Sequence, residues 1–200
     1  MPPLMYPFAA DELDARRVFL FSGHMIDAPG RAVPRFPARE EPVAAAAIAA
    51  KLNELGAGTP DVGLCGGACG GDLLFAEALL ARGARLVVLL AFDEATFLAR
   101  SVDFAGDDWR RRFFAVKAHR LTRVMLAPDV LGPSPDGANP YERTNVWLLE
   151  SALAFGPQKV DFICLWDGGG EDGPGGTRHM VTEVKRRRGH VHWLNTNELW

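Results

Sequence analysis

The 200 residues carry 48% apolar and 24% charged side chains, a globular mixture that excludes wholesale disorder. Twenty-two basic against 25 acidic residues leave a formal net charge of −3, which argues against a nucleic-acid backbone as partner, since that calls for a concentrated basic face. The longest uncharged apolar runs, Val43–Ala50 and Leu86–Phe92, fall well short of the ~20 residues of a membrane helix.

Met1–Ala10 lacks the basic start and long apolar stretch of a signal peptide, and three cysteines are too few for a disulfide framework. The expectation is a cytoplasmic chain without membrane contact. Residues 1–16 are Pro-rich and then charged, a loose lead-in to one domain over 17–200. Val18-Phe19-Leu20-Phe21 followed by Ser22-Gly23 has the continuous apolar pattern of a strand buried on both faces. A loop with prolines at 29, 34 and 37 follows, then an amphipathic helix carrying Ala44, Ile48, Leu52 and Leu55 and ended by Gly56. A strand over Asp61–Cys65 runs into the glycine-rich turn Gly66–Gly71, and a helix follows over Asp72–Arg82. The spacing then predicts a strand at Leu86–Leu90, helices at Glu94–Val102 and Asp108–His119, and a strand at Leu121–Leu126. Pro128–Pro140, with four prolines and two glycines, reads as a surface loop. A helix over Tyr141–Phe155, a strand over Val160–Trp166, a glycine-rich stretch over Asp167–Gly176, a helix over His179–Arg188 and a last strand over Val191–Leu194 complete the chain. Apolar strands alternating with helices predict an α/β fold: one doubly wound, Rossmann-like domain on a mainly parallel sheet of about five to six strands.

In such sheets ligands bind beyond the carboxyl ends of the strands, and three loops there have unusual composition. The first holds Ser22, Gly23, His24, Asp27 and Arg31; the last two have the chemistry to meet ribose hydroxyls and a phosphate, and also that of ordinary solvated loop charges. The second, Gly66, Gly67, Ala68, Cys69, Gly70 and Gly71, lets backbone amides approach an anion at a helix N-terminus, with Asp72 as candidate N-cap. Its spacing is neither G-x-G-x-x-G nor a Walker loop, and a tight strand-to-helix turn without a ligand explains it equally well. The third runs from Trp166 and Asp167 to Pro174-Gly175-Gly176-Thr177, where Thr177 is placed to cap a helix or bind phosphate. Two such helix starts on one sheet edge make a paired anion cradle.

No metal or cofactor is expected. Cys65 and Cys69 lack zinc spacing, and Cys65 and Cys164 fall on buried strands, which leaves Cys69 as the one reactive candidate. His190 and His192 share a strand face but read as a surface pair. Arg110-Arg111-Arg112 reads as a solvated helix face and Lys185–Arg188 as a complement to a helix C-terminus, while Trp109, Phe113 and Phe114 suit either core or the cover of a base.

With Ser22-Gly23, the Gly66–Gly71 turn and Pro174-Gly175-Gly176-Thr177 in these positions, nearly the whole chain resembles the SLOG superfamily of DprA-like and "lonely guy" (lysine-decarboxylase-like) Rossmannoid domains. The opening Phe21-Ser22-Gly23-His24-Met25-Ile26-Asp27 resembles a bacterial module found beside TRAF-binding-type tetratricopeptide or cyclase regions. The resemblance implies binding of a nucleotide or nucleotide-derived small molecule, a sensing or signalling role, and a homodimer. Its enzymes release a base from nucleoside monophosphates with an Arg and with a Glu two residues after the Thr of their glycine run. Here His179 takes that place; Arg143 (with Asn145 near it) and the displaced Glu183 are the nearest counterparts. Binding is therefore favoured over an N-glycosidic hydrolase, and a ligand-free protein-interaction domain is the third alternative.

Overall fold

The structure, a computed structural model, describes residues 14–169 and 176–200. Its first strand, β1 (Val18–Gly23), is a run of apolar side chains that only a sheet covered on both faces can bury. Helix α1 (Glu41–Glu54) leads to β2 (Val62–Cys65), α2 (Gly71–Leu80) to β3 (Arg85–Leu90), and α3 (Glu94–Ser101) with α4 (Asp107–Ala118) to β4 (Thr122–Leu126). The chain then returns through α5 (Ala127–Leu131) and α6 (Pro140–Leu153) to β5 (Val160–Trp166), and through α7 (Thr177–Arg186) to β6 (His190–Asn195) and α8 (Thr196–Leu199).

The six strands lie in the order β4-β3-β2-β1-β5-β6, every neighbouring pair parallel. Val18 at the start of β1 is in register with Val62 on one side and Val160 on the other. The strand order grows outward from β1 to β4, then restarts at β5 on the other flank of β1. This reversal is the topological switch point at which open α/β sheets build their ligand crevices. Alternation along the strands splits the core in two. Phe19, Phe21, Val88 and Ile163 pack with α1 to α4 on one face, and Leu20, Leu64, Val87 and Phe162 pack with α5, α6 and α7 on the other. The fold is thus one Rossmann-like α/β domain. Among the described residues no helix is long and apolar enough to cross a membrane.

Two short helices lie where the sequence reading places none. α5 occupies the start of the expected Pro128–Pro140 loop, because Pro128 falls in its first turn, where a missing N–H costs nothing. α8 follows the last strand and is capped by the Asn195 side chain, which accepts from the Asn197 N–H.

At the amino ends of the strands, charges are consumed by structure. Asp61, wholly buried, accepts from Arg16 Nε at 3.0 Å, Arg16 Nη2 at 2.7 Å and the Gly58 N–H at 2.8 Å. His192 Nε2 lies 2.8 Å, and His190 Nδ1 3.8 Å, from one oxygen of Asp161, so the two histidines share a carboxylate and do not form an isolated surface pair. In the arginine run on α4, Arg110 and Arg111 are exposed, as a solvated face requires, and Arg112 departs from it. Arg112 stacks over Trp109 at 4.1 Å and reaches Glu77 and Glu41 at 2.6 Å, while Trp109 and Phe113 are buried in the core.

Candidate functional site

A cleft of about 430 Å³ opens beyond the carboxyl ends of β1, β2 and β3. Ser22 and Gly23 end β1 at its base, with Met25 and Arg35 from the loop that follows. Gly66, Ala68 and Asp72 enter from the β2–α2 turn, and Leu89, Ala91 and Phe97 give an apolar wall. Asn139, Tyr141, Thr144 and Asn145, from the start of α6, close the opposite side. The Tyr141 hydroxyl is 2.8 Å from Ser101 Oγ, and its ring meets Phe92 edge-on at 5.2 Å, so α6 is tied across the strand ends to α3.

The glycine turn is built for close packing. Three of its amides are committed: the Ala68 N–H donates to Asp72 Oδ2 at 3.2 Å, the Cys69 N–H to the Ser101 carbonyl at 2.8 Å, and the Gly71 N–H to the His24 carbonyl at 3.0 Å. Gly70, at φ +93°, lies so near the following loop that a Cβ would fall 2.7 Å from Ile26 N and 2.9 Å from the His24 carbonyl oxygen. Gly67, at φ +77°, would put a Cβ 2.6 Å from Val88, so a side chain there disturbs the fold before it can inform on any ligand. The helix N-cap is Gly70, with Asp72 inside the first turn, its carboxylate turned back on the amides before it.

Asp72 is 9% exposed and has no cation within ion-pair distance among the described residues. Burial raises its carboxyl to about 7, against the pull of the Ala68 and Gly66 amides. Burial likewise raises Cys69 and Cys164 to about 12 and Cys65 well above its ordinary value, so Cys69 is an inert core thiol, not a reactive one.

Arg35 is the cleft's cation. Among the described residues its guanidinium meets no carboxylate and no acceptor, and its Nε is buried without a hydrogen-bond partner. The loop that presents it is fixed by Asp27, whose Oδ2 accepts from the Arg35 N–H at 2.9 Å and the Phe36 N–H at 3.0 Å. Phe36, fully buried, stacks on Trp200 at 5.3 Å. Arg31 lies outside the cleft, donating to the Val33 carbonyl and pairing with Asp27 at 3.3 Å. The Asp27 carboxylate is thus a positioning group for Arg35, where the sequence reading gives it the ribose.

Beside Arg35 lies the β1–β5 switch. His24 Nε2 accepts the Asp167 N–H at 3.2 Å, a role that requires that nitrogen to be unprotonated. Burial, aided by Arg35, lowers His24, with Asp167 working the other way. Partial burial pushes the Asp167 carboxyl up, but the Gly169 N–H, His24 and Arg35 together pull it below its usual range. The α7 N-terminus faces the same strand end: its cap, Gly176, has no side chain, and Thr177 Oγ1 is 3.5 Å from Ser22 Oγ. Thr177 is therefore the first residue of the helix and not its cap. Gly175 lies outside the described residues.

The remaining candidates lie elsewhere. Arg143 donates to the Gly132 and Leu131 carbonyls behind α5, and Glu183 pairs with Arg186 at 2.6 Å and Arg187 at 3.3 Å. Trp166 donates to the Gly169 carbonyl and packs against Trp193. Of the residues expected from sequence, Ser22, Gly23, Gly66, Ala68, Asp72 and Asn145 line the cleft together. Arg35, Tyr141 and Thr144 are the ones that sequence reasoning passes over. Tyr141, Thr144 and Asn145 have the i, i+3, i+4 spacing of one helix face, a pattern that would have singled them out. No protein-family model matches the chain, and no curated protein matches it either.

Proposed function

We propose that this chain binds a nucleotide or nucleotide-derived small molecule in the strand-end cleft, as the sensing unit of a signalling module of the SLOG type. The observation that carries the reading is Arg35: a guanidinium with a buried, unpartnered Nε, held by Asp27 at the mouth of a cleft beside the switch point. A buried donor without an acceptor is costly to the fold, and an anionic group such as a phosphate supplies the acceptor. The Ser22 hydroxyl and the α7 N-terminus, whose cap residue Gly176 has no side chain, favour negative charge at the same end. A volume of about 430 Å³ suits one mononucleotide-sized molecule, toward the lower end of the ~300–1,000 Å³ of ligand pockets. Binding is favoured over base release, since Arg143 and Glu183, the two residues assigned to that chemistry, are engaged away from the cleft.

The test is a thermal-shift screen over nucleoside mono-, di- and triphosphates, cyclic nucleotides, NAD and ADP-ribose. A ligand at a hundred times its Kd stabilises the folded state by ~2.7 kcal/mol, which raises Tm by about 5–10 °C in a domain of this size. Arg35→Gln is expected to remove that shift. A screen without a hit, or a hit indifferent to Arg35→Gln, overturns the proposal.

A further inference from the structure

The cleft is polar along its length. Arg35, Ser22 and the α7 N-terminus offer donors near β1 and β5, where the Asp27 and Asp167 carboxylates are already met by backbone N–H groups, whereas the β2 side of the cleft lining carries one carboxyl group, Asp72. One oxygen of Asp72 receives the Ala68 N–H, and the group lines the cleft without meeting Arg35 within ion-pair distance. Among the described residues, a buried acid without an ion-paired cation and a cation without an ion-paired acid line the same cavity, a pair of groups between which a ligand can sit.

Resting on the site proposed above, we infer that Asp72 is a specificity-determining ligand contact that accepts a hydrogen bond, so that the cleft takes molecules carrying an anion at one end and an N–H or O–H donor at the other. Simple anions satisfy only Arg35 and leave the Asp72 carboxylate facing them. Nucleotides, with hydroxyl and amino donors placed away from the phosphate, satisfy both.

This division has a pH signature, because Asp72 changes charge near neutrality. A donor-bearing ligand stabilises the carboxylate, so its affinity rises as pH climbs through the Asp72 transition. A simple anion in the same cavity is repelled by that carboxylate, so its affinity falls over the same interval. The other ionisable groups near Asp72 do not reproduce this. Cys65 on β2 and Cys69 in the turn are raised and stay protonated, and His24, at the Arg35 end, is lowered by burial and uses Nε2 to accept the Asp167 N–H.

The experiment measures, by calorimetry on the full chain, the affinity of adenosine 5′-monophosphate and of inorganic sulfate at about pH 6.5 and about pH 8.5, in the wild type, Asp72→Asn and Arg35→Gln. Sulfate does not titrate in this range, and the Asp72→Asn protein shows the phosphate's own titration by itself, so that it can be subtracted from the wild-type slope. The expected result is opposite slopes: the nucleotide about tenfold tighter and sulfate severalfold weaker at the higher pH. Asp72→Asn flattens the sulfate slope and leaves the nucleotide only the dependence of its phosphate. Slopes of the same sign, or slopes unchanged in Asp72→Asn, overturn the inference while leaving the site in place. Absence of both ligands, or binding of both unaffected by Arg35→Gln, overturns the site itself. Should Asp72→Asn not fold, the wild-type sulfate slope decides alone: affinity that falls with pH supports the inference, and affinity that stays flat or rises overturns it.

Discussion

The two edges of the sheet treat buried charge in opposite ways. At the amino edge Asp61 is clasped by the Arg16 guanidinium and the Gly58 amide, so every oxygen has a donor. At the carboxyl edge Asp72 is almost as deeply buried but, among the described residues, receives only backbone amides, and the Arg35 guanidinium meets no acceptor. Arg112, on the outer face of α4, repeats the first pattern, with its charge answered by Glu41 and Glu77. Among the described residues, Asp61 and Arg112, which hold the fold, are paired within the chain, whereas Asp72 and Arg35 are left without an ion pair and line one cleft.

This contrast can be broken at either edge. The largest effect is expected for Asp61→Ala, which strips a buried acceptor from Arg16 and Gly58 and should lower stability by about 3 kcal/mol in urea denaturation, without altering ligand binding. A loss below about 1 kcal/mol would place Asp61 outside the framework of the fold.

The same kind of substitution should act with opposite sign at Asp72. Its folded value, about 7, is raised above the ordinary 3.8, so the stability it contributes is fully present below pH ~4 and lost as pH rises to ~7. Three units correspond to ~4 kcal/mol, and weaker hydrogen bonding by the amide offsets part of that. Asp72→Asn should therefore be about 2 kcal/mol more stable than the wild type near pH 8, with the advantage gone near pH 4. Equal stability at both pH values would contradict the contrast.

The smallest effect separates the two arginines. Arg112→Gln should cost about 1 kcal/mol, since Glu41 and Glu77 are each about a third exposed and screened by water. Arg35→Gln should leave stability unchanged or raise it by up to about 1 kcal/mol, because no partner among the described residues loses a bond and a buried unpaired donor is removed. Thermal melts of the two variants side by side measure the difference.

Much of the architecture is legible in the sequence because buried parallel strands leave long apolar runs. Val160–Trp166 is found with its expected bounds, and β1, β3 and the helices on both faces fall within a few residues of theirs. Short helices such as α5 and α8 have too few residues to show a period. The cleft is half legible. Ser22, Gly66 and Asp72 follow from the rule that strand carboxyl ends hold ligands. Arg35 does not, because an arginine between two prolines looks no different from Arg31 until the Asp27 carboxylate is seen to fix the loop. Arg143 and Asn145 are two residues apart on one helix, about 200° around its axis, so they cannot both face one cleft. Glu183 lies six residues beyond Thr177, ~9 Å along the α7 axis from the strand end.

The seam at Gly70 and Gly71 bears on motion as well as shape. The β1 and β2 loops touch backbone to backbone there, and the Gly71 N–H to His24 carbonyl bond closes the contact. With no side chain between them, neither loop can shift without carrying the other. The base of the cleft then opens only in concert with the central sheet, and the Cys69 and Gly71 amides should exchange their hydrogens as slowly as those of β1. A ligand settling on such a floor gives up little chain entropy, so whatever movement reports its arrival must come from the wall around Arg35 or the start of α6.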